Sequence, residues 1–266
     1  MRRILISDLD DPRIAIYRSL KATNQTRGLN QFVVEGEKLV SRVLGSRFPV
    51  VSVLMTDRHP RTLLSTMPDE VPVYVLPGEL VDRLVGFPFH RGVLAAAERQ
   101  PAPGFEEILR SHSGPLLVVI CPKLSDPENL GAIARIGDVF GIDGILTGSE
   151  CPDPFSRRVL RVSMGSILRV PVVVSERLAD DVDDAVRSSG LRLFAAVTDP
   201  AAVAFDQAAR PERLGLVLGD EDRGIDPEWL RRCHERITIP MRQGAGSLNV
   251  AVAAGILIHG LTSKAK

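Results

Sequence analysis

The chain has 266 residues, enough for two domains. Its 33 basic and 33 acidic residues cancel, so any nucleic-acid contact must come from local basic patches and not from a global field. Its composition, 44% hydrophobic and 25% charged, is that of a water-soluble globular protein, and no run reaches the ~20 apolar residues of a membrane helix.

The N-terminal apolar run is far too short for a secretory signal, and acids follow at once. Residues 8–22 read as a short amphipathic helix with Pro12 in its first turn. A polar loop with one glycine follows, and then F-V-V-E-G-E (Phe32 to Glu37), a strand running into a turn. A helix is expected over Gly36–Ser46, strands over Val50–Met55 and Val71–Leu76, a helix over Gly78–Val85 and a strand over Gly92–Glu98. Arg99–Gly104, with two prolines and a glycine and no periodicity, is the best linker.

A clean β/α alternation begins after it. Leu116–Cys121 is a continuous apolar strand, as in a parallel sheet covered on both faces. Strands at 144–148, 171–174, 191–197, 214–219 and 237–239 alternate with helices at 129–140, 156–164, 178–189 and 227–233, and a last helix follows Ser247 and Asn249. This pattern predicts an open, mostly parallel α/β sheet. Val250–Ile258 is apolar almost all round, which predicts a buried helix.

Ligands of such sheets sit beyond the carboxyl ends of the strands. Three loops there are rich in glycine and polar residues. In the first, Asn129 begins a helix, Gly131 thins its first turn and Arg135 lies one turn further on. Leu130, Ile133, Ile136, Val139 and Phe140 form its expected buried stripe. Arg135 either pairs with Asp138 on the surface or aims its planar fork at a phosphate or ribose. In the second, Glu221 lies between Gly219 and Gly224, either in a plain acidic turn or as a buried carboxylate that needs donors. In the third, Ile237–Ile239 meets Pro240, and Gly244 and Gly246 precede Ser247, the expected helix cap, and Asn249. No dinucleotide or phosphate-loop glycine motif is present. Cys121, Cys151 and Cys233 are isolated, and the five histidines show no ligand spacing. No disulfide framework and no metal are expected, and a reducing cytoplasm fits the cysteine usage best.

Together, N-x-G-x-x-x-R, L-G-x-E-x-x-G and I-P-M-x-x-G-x-x-S-L-N-V-x-V-A, in this order, resemble the SpoU (TrmH-type) RNA 2′-O-ribose methyltransferases of the SPOUT superfamily, over about residues 113–262. Val159–Val172 is similar to the family's link between motifs. Ser19–Lys21 and F-V-V-E-G-E resemble, more loosely, the small α/β RNA substrate-binding domain of many members.

The resemblance implies two domains, 1–103 and 104–266, the second a SPOUT α/β domain with a deep trefoil knot. It implies S-adenosylmethionine as cofactor, bound by Leu218, Gly219, Gly224, Ile239, Met241 and Leu248, with Thr198 as a weaker candidate. It implies methylation of a ribose 2′-hydroxyl in rRNA or tRNA by a homodimer joined through the knot region. Arg135 would orient the reactants and stabilise charge, with Asn129, Glu221, Ser247 and Asn249 positioning it, the ribose and the methionine end of the cofactor. RNA contacts are expected at Arg157, Arg158 and Arg161 and, in the first domain, at Lys21 and Arg27. Three residues depart from the family pattern, one of them Gly246, which replaces a residue that is often acidic or polar. Asp220 stands where Asn is usual and Asp222 where Gly is usual, which motivates an alternative, a non-catalytic RNA-binding or ribosome-assembly protein of the same fold.

Overall fold

In a computed structural model, residues 3–18, 20, 28–57, 67–242, 244 and 246–264 are described. The chain divides into two compact units, 1–101 with 155–168, and 102–154 with 169–266. The segment 155–168 thus belongs to the first unit, although in sequence it lies deep in the C-terminal half.

The first unit contains β1 (Arg3–Leu5), a 3-10 helix (Pro12–Tyr17), β2 (Gln31–Glu35), α1 (Glu37–Leu44), β3 (Val50–Thr56), β4 (Val73–Leu76), α2 (Gly78–Val85) and β5 (Val93–Glu98). The expected helix over 8–22 is therefore only this six-residue 3-10 turn, and β1 escaped the sequence reading because three residues carry no periodicity. The sheet runs β1-β4-β3-β5-β2. β1, β4 and β3 are parallel, and β5 is antiparallel to both β3 and β2. Tyr17 is fully buried and explains its own position. Its hydroxyl donates to the Ser52 carbonyl at 2.9 Å and accepts from the Ala96 amide at 3.2 Å, so burial leaves no polar atom orphaned. Phe155, from the inserted segment, stacks on Phe32 at 4.9 Å and meets Phe48 edge-on at 5.4 Å. Two aromatic contacts of this kind draw a remote stretch of chain into the unit. The segment continues as α5 (Arg157–Val162), capped by Ser156.

The second unit contains α3 (Phe105–Arg110), β6 (Leu116–Cys121), α4 (Pro127–Phe140), β7 (Gly144–Gly148), β8 (Val172–Ser175), α6 (Leu178–Ser189), β9 (Arg192–Val197), β10 (Val203–Ala204), β11 (Arg213–Val217), α7 (Pro227–Arg232), β12 (Glu235–Thr238) and α8 (Val250–Ser263). Its seven strands run in the order β10-β12-β9-β11-β6-β7-β8, and every pairing is parallel. β6 is buried along its whole length, as its unbroken apolar run predicts. The chain leaves β6 towards β7 on one side, and β11 later fills the place on the other. In such sheets ligands bind beyond the strands' carboxyl ends, and here a cleft opens beyond the ends of β9, β11 and β12.

Two expectations about helix faces fail together. Leu130 and Ile133 of α4 are fully buried, but Val139 is 70% exposed and Phe140 38%. On α8, Ala254, Leu257 and Ile258 are buried, while Val252 is 51% exposed and Ile256 37%. α4 and α8 pack on each other, and Phe140 meets His259 edge-on at 5.1 Å. Beside that contact an apolar surface of Ile136, Phe140, Val252 and Ile256 is left open in the single chain.

Candidate active site

The site starts from the turn after β11. Leu218 donates its amide to the Ile120 carbonyl at 2.9 Å, so the ladder with β6 extends one residue past the strand. Asp220 and Gly224 then exchange both backbone hydrogen bonds at 2.9 Å, closing a tight loop whose tip is Glu221, Asp222 and Arg223. Gly224 has φ +68°, a conformation glycine adopts without cost. Gly219 is required for a different reason. A Cβ there would lie 2.3 Å from the Gly224 carbonyl carbon, so no side chain fits.

Asp220 locks this turn from inside. Its Oδ1 accepts from the amides of Asp222 (3.0 Å) and Arg223 (3.2 Å), and its Oδ2 accepts from the Ser125 hydroxyl at 2.6 Å. The Ser125 bond, helped by the two amides, holds its carboxyl below the usual aspartate range against the opposing effect of burial. Glu221 has its donors too. Its Oε2 accepts from the Ser125 amide at 3.1 Å, and its Oε1 accepts from the Asn129 carboxamide. Of the two readings of Glu221, the structure therefore shows the carboxylate held by donors.

Donor and acceptor chemistry fixes what comes next. An ionised Glu221 can only accept, so Asn129 must present its NH2 to it and keep its own oxygen for another donor. That donor is the Asn249 NH2, at 3.0 Å. The Asn249 oxygen is then left to accept from the amides of Ala251 (2.9 Å) and Val252 (3.3 Å), which makes Asn249 the cap of α8. Ser247, the expected cap, stands two residues upstream, exposed on the wall of the cleft. One polar chain thus runs from Ser125 through Glu221 and Asn129 to Asn249. Ser125 was missed from the sequence because its partners lie 95 and 96 residues away.

Beside this chain opens a cleft of about 460 Å³, within the range of small-molecule sites. Leu218, Ile239, Met241 and Leu248 give it apolar walls, and Thr198, Gly219, Glu221, Gly224, Ser247 and Asn249 also line it. The geometry thus brings together every residue expected to hold the cofactor, with three of the five expected catalytic residues. Asn129 stands one hydrogen bond behind them, itself 94% covered.

Arg135 does not lie on this wall. It is on the exposed side of α4, about 9 Å along the helix axis from Asn129. Among the described residues its guanidinium makes no hydrogen bond or ion pair. The surface pairing with Asp138 does not form, because Arg169 takes the Asp138 carboxylate in a two-pronged bond. In the first unit, Arg157 is turned inward. It lies 3.7 Å from the Glu35 carboxylate and 4.1 Å over the Phe87 ring, and burial lowers its pKa. Arg158 is exposed and Arg161 half-buried, while Lys21 and Arg27 lie outside the described residues. Among the described residues no three His, Cys, Asp or Glu side chains are grouped to hold a metal ion, and no helix is long and apolar enough to cross a membrane.

Residues 116–259 match the model of the SpoU rRNA Methylase family. An uncharacterised tRNA/rRNA methyltransferase of Mycobacterium tuberculosis is 34% identical over 96% of this chain and 90% of its own. The 23S rRNA (guanosine(2553)-2′-O)-methyltransferase of Bacillus subtilis is 26% identical, over 96% of this chain and 98% of its own. The fold is similar to that of the SpoU methyltransferase AviRb from Streptomyces viridochromogenes, solved in complex with AdoMet. The TM-score is 0.82 at 23% identity, covering 96% of this chain and 98% of that one.

Proposed function

The chain belongs to the SpoU rRNA methylase family, and on that premise we propose that it methylates a ribose 2′-hydroxyl of rRNA or tRNA with S-adenosylmethionine. The cleft carries the proposal. Gly219 removes the side chain that would block close approach to the backbone, and apolar walls beside the turn suit an adenine ring. Bound there, the cofactor supplies a sulfonium-activated methyl group, so no metal is needed.

The chain's own residues then have alignment to perform. Glu221, Asn129 and Asn249 fix the second loop to the starts of α4 and α8, so the walls of the cleft keep one geometry. Holding oxygen, methyl carbon and sulfur in line is where much of the rate gain of such a transfer lies. Arg135, with no partner among the described residues, is available to a phosphate or to the developing charge on the ribose oxygen. A guanidinium keeps its proton, so its role is orientation and charge stabilisation.

Arg135 stands next to the open apolar surface of α4 and α8, and this supports a second copy of the chain as the cover of that surface. A homodimer of this kind would carry each Arg135 towards the other copy's cleft. The proposal includes the trefoil knot through the β11–β12–α8 loops, a cytoplasmic location and RNA contact by Arg158 and Arg161. The non-catalytic alternative had Asp220 and Asp222 as its motive. Asp220 is spent on the turn, which removes half of that motive.

The test is to map 2′-O-methylated positions in total RNA with and without the gene, and then to assay purified Arg135→Ala. One lost position is expected, with a variant that binds S-adenosylmethionine normally but transfers methyl at least roughly 100-fold more slowly. An unchanged map sinks the reading, whereas a fully active Arg135→Ala protein removes only the role given to Arg135.

A further inference from the structure

The turn that lines the cleft carries three successive carboxylates, and they are not equivalent. Asp220 accepts three hydrogen bonds and Glu221 two, all from the protein itself. Asp222 is exposed and on the cleft wall, and among the described residues its carboxylate has no partner. Its backbone is nonetheless held. Its amide donates to Asp220, and the turn is closed by the reciprocal Asp220–Gly224 bonds. A fixed backbone at a cavity wall, carrying an uncommitted charge, acts on whatever occupies the cavity.

We infer that Asp222 is a specificity residue that favours the charged methyl donor over its demethylated product. The inference rests on the S-adenosylmethionine reading above. S-adenosylmethionine carries a sulfonium and an ammonium against one carboxylate, a net charge of +1. Transfer of the methyl group turns the sulfonium into a neutral thioether, and the product S-adenosylhomocysteine has no net charge. An unpartnered carboxylate on the wall therefore attracts the donor more than the product, which lessens product inhibition.

The opposite charge next door, Arg223, borders the cleft too, but it is shared between two hollows. The second of them is lined by Arg223 with Lys123 and Trp229. The Lys123 ammonium there is held charged mainly by its hydrogen bond to Glu150, and it feels Arg223 as a weaker opposing charge. Arg223 therefore places its charge where Lys123 senses it.

Calorimetry on the full chain with S-adenosylmethionine and S-adenosylhomocysteine tests this. In Asp222→Asn the ratio of the two dissociation constants should shift against the donor by roughly threefold to tenfold, the effect of one partly solvated charge at close range. Asp222→Glu, which keeps the charge, should retain the wild-type ratio. Raising the salt should shrink the gap between wild type and Asp222→Asn, because an exposed charge is screened. A ratio unchanged in an Asp222→Asn protein that binds both compounds removes the role of Asp222 and leaves the methyltransferase reading standing. Binding of neither compound by the wild-type chain removes both.

Discussion

The Asn249 carboxamide donates to the Asn129 side-chain oxygen at 3.0 Å, joining the starts of two helices that lie 120 residues apart in the chain. Asn129 can accept this bond only because its NH2 is given to Glu221. Asn129→Asp should therefore be worse than Asn129→Ala, because it sets a second carboxylate against Glu221. The alanine variant should lose ~1–3 kcal/mol, the worth of two part-buried hydrogen bonds, one of them to a carboxylate. The aspartate variant should lose more at pH 7 and regain part of it near pH 5. Two facing carboxylates raise a folded-state pKa, so the penalty fades as the pH falls through that raised value. Urea unfolding at both pH values measures this, and an aspartate variant as stable as the alanine variant at pH 7 contradicts it.

Gly219→Ala probes the turn itself. Its Cβ would meet the Gly224 carbonyl carbon at 2.3 Å, where only backbone could move aside. Overpacking of ~1–3 kcal/mol should reopen the turn and weaken S-adenosylmethionine binding roughly tenfold or more. Calorimetry reads the loss. Unchanged affinity would mean that the turn does not shape the cleft.

Asp220 should mark the acid limb of the stability curve. Its carboxyl is held below the usual range, first by the Ser125 hydroxyl and then by two amides. A depressed folded-state pKa contributes stability above the unfolded value and loses it as the pH falls through the folded one. Asp220→Asn keeps the acceptor for both amides but does not titrate. The stability difference between wild type and this variant should thus stay constant from about pH 5 to 8 and change only below about pH 4. Paired denaturation curves across that range test it, and a difference that drifts at neutral pH refutes it.

The open surface of α4 and α8 gives a prediction about assembly. Val252→Glu changes a side chain that is already 51% exposed, so the fold of the single chain should survive. A charge buried between two copies would not be tolerated. Sedimentation should find a dimer for the wild type and a monomer for the variant. A wild-type monomer at micromolar concentration removes the dimer from the proposal.

How far the site could be read from sequence follows from the range of each interaction. The apolar run Leu116–Cys121 and the β/α alternation fix a buried parallel sheet, because strand burial is written in consecutive residues. The second and third loop motifs supply most residues of the cleft for a similar reason, since a turn or a helix start is set within a few positions. Ser125 could not be found this way, because it makes its bonds across the gap between two loops. The same distance hid the partner of Asp138, which is Arg169, 31 residues on. The exposed ends of the α4 and α8 stripes were hidden too, since periodicity shows which side of a helix is apolar and not what covers it.

The sequence by itself determined the β/α alternation of the second unit, the cleft residues of its second and third loops, and the family. Only the tertiary structure decided that Asn249 and not Ser247 caps α8, that Asp220 is consumed while Asp222 stays uncommitted, and that Phe155 joins the first unit. Each of these is a choice among donors, acceptors or apolar surfaces of similar chemistry. Such a choice is made by which candidate the folded chain brings within contact, and a linear pattern holds no distances between remote residues.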